Sequence, residues 1–139
     1  MLSHQSLDQS EALQLAQFAQ DLSHATGVAQ NIAVVDHSGA LLVFIRMDGA
    51  KLIAGPIAIN KAFTAATAQA RTADIAPKTL PGEPGFMIQL QQNGRFTTLG
   101  GGVPLLMEDA VVGGLGISGG SVAQDIEIAD AAAKKLELA

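Results

Sequence analysis

The sequence predicts an α+β fold, an antiparallel five-stranded sheet packed with helices in the order α-β-β-α-(α)-β-β-β-α. Three observations carry this. Apolar residues recur at steps of three and four near both ends of the chain, as on one face of a helix. Between them lie β-branched runs joined by turns too short for a parallel crossover. An alanine-rich stretch separates two strands from three.

The first helix is expected from Ser6 to about Thr26, with Ser6 and Gln9 at capping-box spacing. Leu15, Phe18, Ala19, Leu22 and Ala25 form its apolar stripe, and Gly27 stands where a helix ends. Strands follow at Val28 to Val35 and Leu41 to Met47, joined by a tight turn at Asp36-His37-Ser38-Gly39. The second strand does not alternate: Leu41, Val43 and Ile45 point one way, Leu42 and Phe44 the other. Both faces of the sheet then need cover, one from helices and the other from a second copy of the chain.

Arg46 and Asp48 close that strand as a surface pair of small value. A second helix runs from Ala54 to about Arg71, with Pro56 in its first turn and alanines suited to a close helix or subunit seam. Its Lys61 reads as a snorkelling side chain. Asp74 to Gly85, rich in Pro and Gly, is a loop or lid, and Phe86 to Gln92 allows about two turns of helix. Strands are expected at Arg95 to Leu99, Val103 to Met107 and from Val111, with Gly100-Gly101-Gly102 and Glu108-Asp109 as turns.

The final strand passes through Ser118-Gly119-Gly120 into a helix capped by Ser121 and Gln124. Val122, Ile126, Ala129, Ala133 and Leu136 make its stripe, and Asp125, Glu127 and Asp130 are read as solvated acids near its start. Gly114, Gly116 and Gly119 spell G-x-G-x-x-G, but they lie in the strand and too little chain follows for a β-α-β unit. The turn instead suits a generic anion site, or simply a tight, close-packed junction.

A length of 139 residues suggests one domain, residues 1–139, with a full core. The net charge of −5 without a basic stripe argues against nucleic acid. Absence of cysteine excludes disulfides, thiolate catalysis and zinc–cysteine sites. The polar start lacks a signal-peptide layout and no apolar run is long enough to span a membrane, so a soluble cytoplasmic protein is expected. With 48% hydrophobic and only 15% charged residues, self-association is expected. No nucleophile elbow, histidine pair at helical spacing or carboxylate cluster is present.

Four blocks, NIAVVDHSGALLVFIRMDGA (31–50), AINKA (58–62), LGGGVPL (99–105) and VVGGLGISGGSVAQD (111–125), resemble the GlcG/HbpS-like proteins. This haem-degrading domain family includes the C-terminal domain of PduO-type proteins. The resemblance spans about residues 10 to 137. It implies a profilin-like sheet, a tetramer or octamer, and in some members haem binding, haem breakdown or iron handling. Other members act beside catabolic enzymes without a settled activity. The matched positions are Arg46, Asp48, Lys61, Gly100, Gly101, Gly102, Pro104, Ser118, Gly119, Gly120, Ser121, Gln124 and Asp125, mostly structural.

For haem b the available donors are His4, His24 and His37, with Met47, Met87 and Met107 weaker. His24 is the first choice for the iron, on a helix face that a neighbouring subunit could cover. Arg46 or the glycine turns would hold the propionates. The alternatives are an accessory protein or enzyme binding a small carboxylate at Gly119-Gly120-Ser121, and an assembly partner without catalysis. A binding protein is favoured over an enzyme.

Overall fold

The sheet is built on β1 (Asn31–Asp36), whose side chains alternate between two helical layers. Ile32 and Val34 face α1 (Gln9–Thr26) and α5 (Val122–Glu137), while Ala33 and Val35 face α2 (Ala54–Ala68). The protein, described over residues 1–137 in a computed structural model, is thus an α/β/α sandwich. Among the described residues the sheet has four antiparallel strands, ordered β2 (Leu41–Arg46), β1, β4 (Ala110–Ser118) and β3 (Gly102–Met107). One-turn helices α3 (Thr72–Ile75) and α4 (Gln91–Gly94) and two short 3-10 turns occupy the segment between α2 and β3.

The fifth strand expected at Arg95 to Leu99 does not form. That segment is held by a side chain rather than a ladder: Thr64 on α2 donates from Oγ1 to the Arg95 carbonyl (3.2 Å) and accepts the Thr97 N–H (3.0 Å). The Arg95 guanidinium also stacks 3.7 Å over the Phe63 ring. These contacts tie the segment to α2 instead of the sheet edge. The helix expected at Phe86 to Gln92 is reduced to the turn Ile88–Leu90 and to α4, where Gln92 and Asn93 are left-handed.

The second face of the sheet is covered by the chain's own α2, not by a second copy. Close approach explains the composition on both sides of that seam. A Cβ on Gly116 would strike the Ala58 carbonyl, and one on Gly114 the Ala62 carbonyl, so the helix backbone rests directly on β4. The alanines of α2 therefore mark a helix–sheet seam. The large apolar side chains that stay exposed include Leu41, Phe44, Leu52 and Ile53 on β2 and before α2, and Leu80, Phe86, Met87, Leu90 and Leu99 along the α2–β3 connection.

Helix ends follow local chemistry with one shift. α1 starts two residues later than expected: Asp8 caps it, accepting the Glu11 N–H at 2.8 Å, and Glu11 returns the bond. Ser6 instead accepts the His37 N–H (3.0 Å), and Leu7 is buried with its N–H on the Val112 carbonyl (3.0 Å). Those tertiary contacts hold residues 6 and 7 outside the helix. Gly27 ends α1 with φ +74°, as expected. On α5 the buried positions are Asp125, Ile128, Ala129, Ala132, Ala133 and Leu136, a stripe rotated from the expected one. Val122 is half exposed and Ile126 only partly covered. Burying Ile128 and Leu136 favours folding by at most about 3–6 kcal/mol.

Candidate functional site

The end of β4 is where polar groups are buried together. Gln30, Asn31, Lys61, Ser118 and Asp125 are all less than a tenth exposed. Lys61 reaches from α2 and Asp125 from the first turn of α5, and Nζ meets Oδ2 at 3.1 Å with both side chains out of water. Nζ also donates to the Ile117 carbonyl at 2.8 Å. The other carboxylate oxygen accepts from Gln30 Nε2 (2.9 Å) and the Gly120 N–H (3.0 Å). Burial pushes the Lys61 amine below its ordinary value, and the charge and hydrogen bond of Asp125 oppose that shift. Lys61 is thus a buried, paired cation and not a snorkelling one, and Asp125 is not a solvated acid.

Gly101 is where this pair crosses. With φ +118°, it passes so close that a Cβ would lie 3.0 Å from Lys61 Nζ and 2.6 Å from the Ile117 carbonyl. Gly100 packs under Ile126, and Gly102 under Thr72, whose Oγ1 accepts the Gly102 N–H at 2.9 Å. The three glycines accordingly serve packing around the ion pair.

The junction Ser118 to Ser121 is bonded mainly to its own chain. Ser118 is buried and its carbonyl accepts from Asn31 Nδ2 (3.2 Å). Ser121 and Gln124 form the expected capping box, with Ser121 N–H on Gln124 Oε1 at 2.9 Å and Gln124 N–H on Ser121 Oγ at 3.2 Å. With the Gly120 N–H on Asp125, the N–H groups of Gly120 and Ser121 are both engaged. An anion there would depend on the N–H groups that open α5 and on neighbouring side chains.

Arg46, Asp48 and His24 are exposed, Arg46 as the strand partner of Asn31 and His24 on the last turn of α1. Of the methionines, Met47 is buried with its sulfur receiving the Gln30 N–H (3.4 Å), Met87 is exposed, and Met107 is half-buried. His4 and His37 stack with ring centroids 4.5 Å apart, a pairing 33 residues of sequence conceal. Gln30 and Asn31 carry no local signal of this role, because a polar pair ahead of an apolar run looks like the start of a strand. Among the described residues no group of three His, Cys, Asp or Glu side chains is arranged to hold a metal ion. No described helix is long and apolar enough to cross a membrane.

The family model described as haem degrading protein HbpS-like matches residues 7–134. The chain belongs to the HbpS-like family. A 15.0 kDa Citrobacter freundii protein from the dhaT-dhaS intergenic region is 35% identical over 121 residues, which cover 87% of this chain and 85% of that one. The Klebsiella pneumoniae protein ORFY superposes with a TM-score of 0.96 at 30% identity, covering 100% of this chain and 96% of its own. A PduOC:heme complex superposes with a TM-score of 0.88 at 32% identity, over 93% of this chain and 94% of that one. The HbpS-like fold therefore extends from the first helix through α5 here.

Proposed function

We propose that this chain is a haem-binding, self-associating HbpS-like protein of the cytoplasm, acting by binding rather than by catalysis. The observation that carries the reading is the match, over 93% of this chain, to PduOC, a protein solved as a haem complex. The donor chemistry suits the group in part. His24 presents an exposed imidazole on α1, and Arg46 an exposed guanidinium that suits propionates. The exposed apolar side chains of one protomer are scattered over β2, the start of α2, residues 80–99, Leu13 on α1 and Val122 on α5, and form no single cover around His24. We therefore assign that cover to a second copy, in a tetramer or octamer, with His24 as the axial donor to haem b. Haem turnover and iron release are secondary to binding in this reading.

Hemin titration tests it directly. Addition of the protein is expected to shift the Soret band, with loss of the shift in His24→Ala and a multimer by light scattering. A free-hemin spectrum at micromolar protein, or a monomer that binds hemin fully, would overturn the assignment.

A further inference from the structure

The cover that α2 gives the second face of the sheet thins at one edge. That face runs from Gly114 and Gly116 on β4 through Ala33 and Val35 on β1 to β2, where Phe44 pairs with Ala33 and Leu41 with Val35. Leu41 and Phe44 are three residues apart and would face opposite ways on a regular strand. The register slip between Val34 and Val35 turns both to the α2 side. There α2 rests on β1, β3 and β4 and touches β2 little. Its contact with β2 includes the Phe44 ring against Gly55, with Cζ 3.4 Å from the place of a Cβ.

Width gives the reason. Strands about 4.8 Å apart make a four-stranded sheet roughly 19 Å wide, whereas one helix is about 10–12 Å across. The opposite face carries two long helices, α1 and α5, and this one carries only α2. Beside the uncovered strand, Leu52 and Ile53 lead into α2 and are 70% and 77% exposed. Ile53 stands two residues before Gly55, the residue the Phe44 ring touches, so the four side chains form one strip. Together they present on the order of 450 Å2 of apolar surface, the size of patch that on a soluble protein is often functional.

We propose that a second copy of the chain covers this strip through a two-fold seam, Leu41, Phe44, Leu52 and Ile53 of one protomer lying on the same residues of the other. The inference rests on the self-association proposed above and says where it occurs. Three features favour a copy as the occupant. The four side chains are uncharged, so laying the strip on itself opposes no like charges. Asp48 and Lys51 stand exposed in the turn beside it with opposite signs, and a two-fold can set Lys51 of one copy against Asp48 of the other. The strip also offers more than half of the roughly 800 Å2 that a stable interface buries on each partner, the remainder falling to a polar rim. A net charge of −5 opposes nucleic acid or an anionic membrane as the cover.

Light scattering on the full chain at micromolar concentration tests the seam, with Ile53→Lys, Leu41→Lys and, as a control on the α2–β3 connection, Leu90→Lys. The parent is expected as a multimer. Ile53→Lys and Leu41→Lys are each expected to fall to half the parent mass or less, because an ammonium buried against the apolar strip of a second copy has no partner there. Leu90→Lys should keep the parent mass. Circular dichroism reports whether each variant is folded, and Leu41→Lys decides the matter if Ile53→Lys is not. Folded Ile53→Lys and Leu41→Lys at the parent mass would overturn the seam and leave self-association standing. A monomeric parent would remove both. Equal dissociation by Leu90→Lys would also overturn the seam, since the strip would then have no special part in assembly.

Discussion

Lys61 and Asp125, which stand 64 positions apart, form an ion pair with side chains 2% and 4% exposed, joining helices that pack on opposite faces of the sheet. Removing one partner strands a buried charge, so Lys61→Met or Asp125→Leu is expected to cost about 3–5 kcal/mol in urea unfolding. The double variant should cost less than either single one, because no orphan charge is left. The surface pair between Arg71 and Asp130 sets the scale: it is short at 2.6 Å, but its side chains are 36% and 43% exposed. Arg71→Ala should cost no more than about 1 kcal/mol. Comparable losses at the two sites would remove the buried pair from its structural role.

Gly116 is expected to tolerate no side chain. In Gly116→Ala the new methyl meets the Ala58 carbonyl of α2, a backbone atom that can yield only if the helix lifts from the sheet. Overpacking of this kind costs about 1–3 kcal/mol, and the rigid neighbour puts it at the upper end. Gly82, with nothing within 4 Å of a Cβ, is the control for added bulk, although its φ of +91° adds some strain. A melting temperature for Gly116→Ala equal to that of the parent would refute the close seam.

Two isoleucines of α5 separate the observed packing from the periodic stripe read in the sequence. Ile128 is 2% exposed in the main core, whereas Ile126 is only partly covered, resting on Gly100. Ile128→Asp should abolish cooperative unfolding, since a carboxylate cannot remain charged there unpaired. Ile126→Asp should leave a folded protein with a lowered melting temperature. Circular dichroism melts of the two variants decide it, and equal effects would place α5 in the wrong rotation.

Acid should loosen the β1–β2 turn through Asp36. Burial raises its carboxyl, but hydrogen bonds from Ser38 and Ala40 outweigh that and hold it below the ordinary value of 3.8. A depressed carboxyl contributes stability that is present above pH 3.8 and is lost as pH falls through its lower folded value. Asp36→Asn should flatten that part of the profile, read as melting temperature between about pH 2 and 5. A profile that the substitution leaves unchanged would mean the turn does not report this group.

The capping box at Ser121 and Gln124, the end of α1 at Gly27 and the turn opened by Asp36 could all be read from neighbouring residues, because each depends on bonds within a few positions. Four blocks of sequence likewise carried the family. The expected strand at 95–99 failed because Thr64, far off in sequence, takes the hydrogen bonds a ladder would have used. Ser6 gave way to Asp8 for a similar reason, its hydroxyl being drawn to His37.

By itself, then, the sequence determined the three long helices, the β1–β2 and β3–β4 hairpins and the membership of the family, since periodicity and turn chemistry act over short spans of chain. Only the tertiary structure decided that α2 covers the second face, that the glycines of β4 admit its backbone, and that Lys61 finds Asp125. Whether a charge is buried depends on what the fold brings within about 3 Å of it, and no local pattern encodes a partner that distant in the chain.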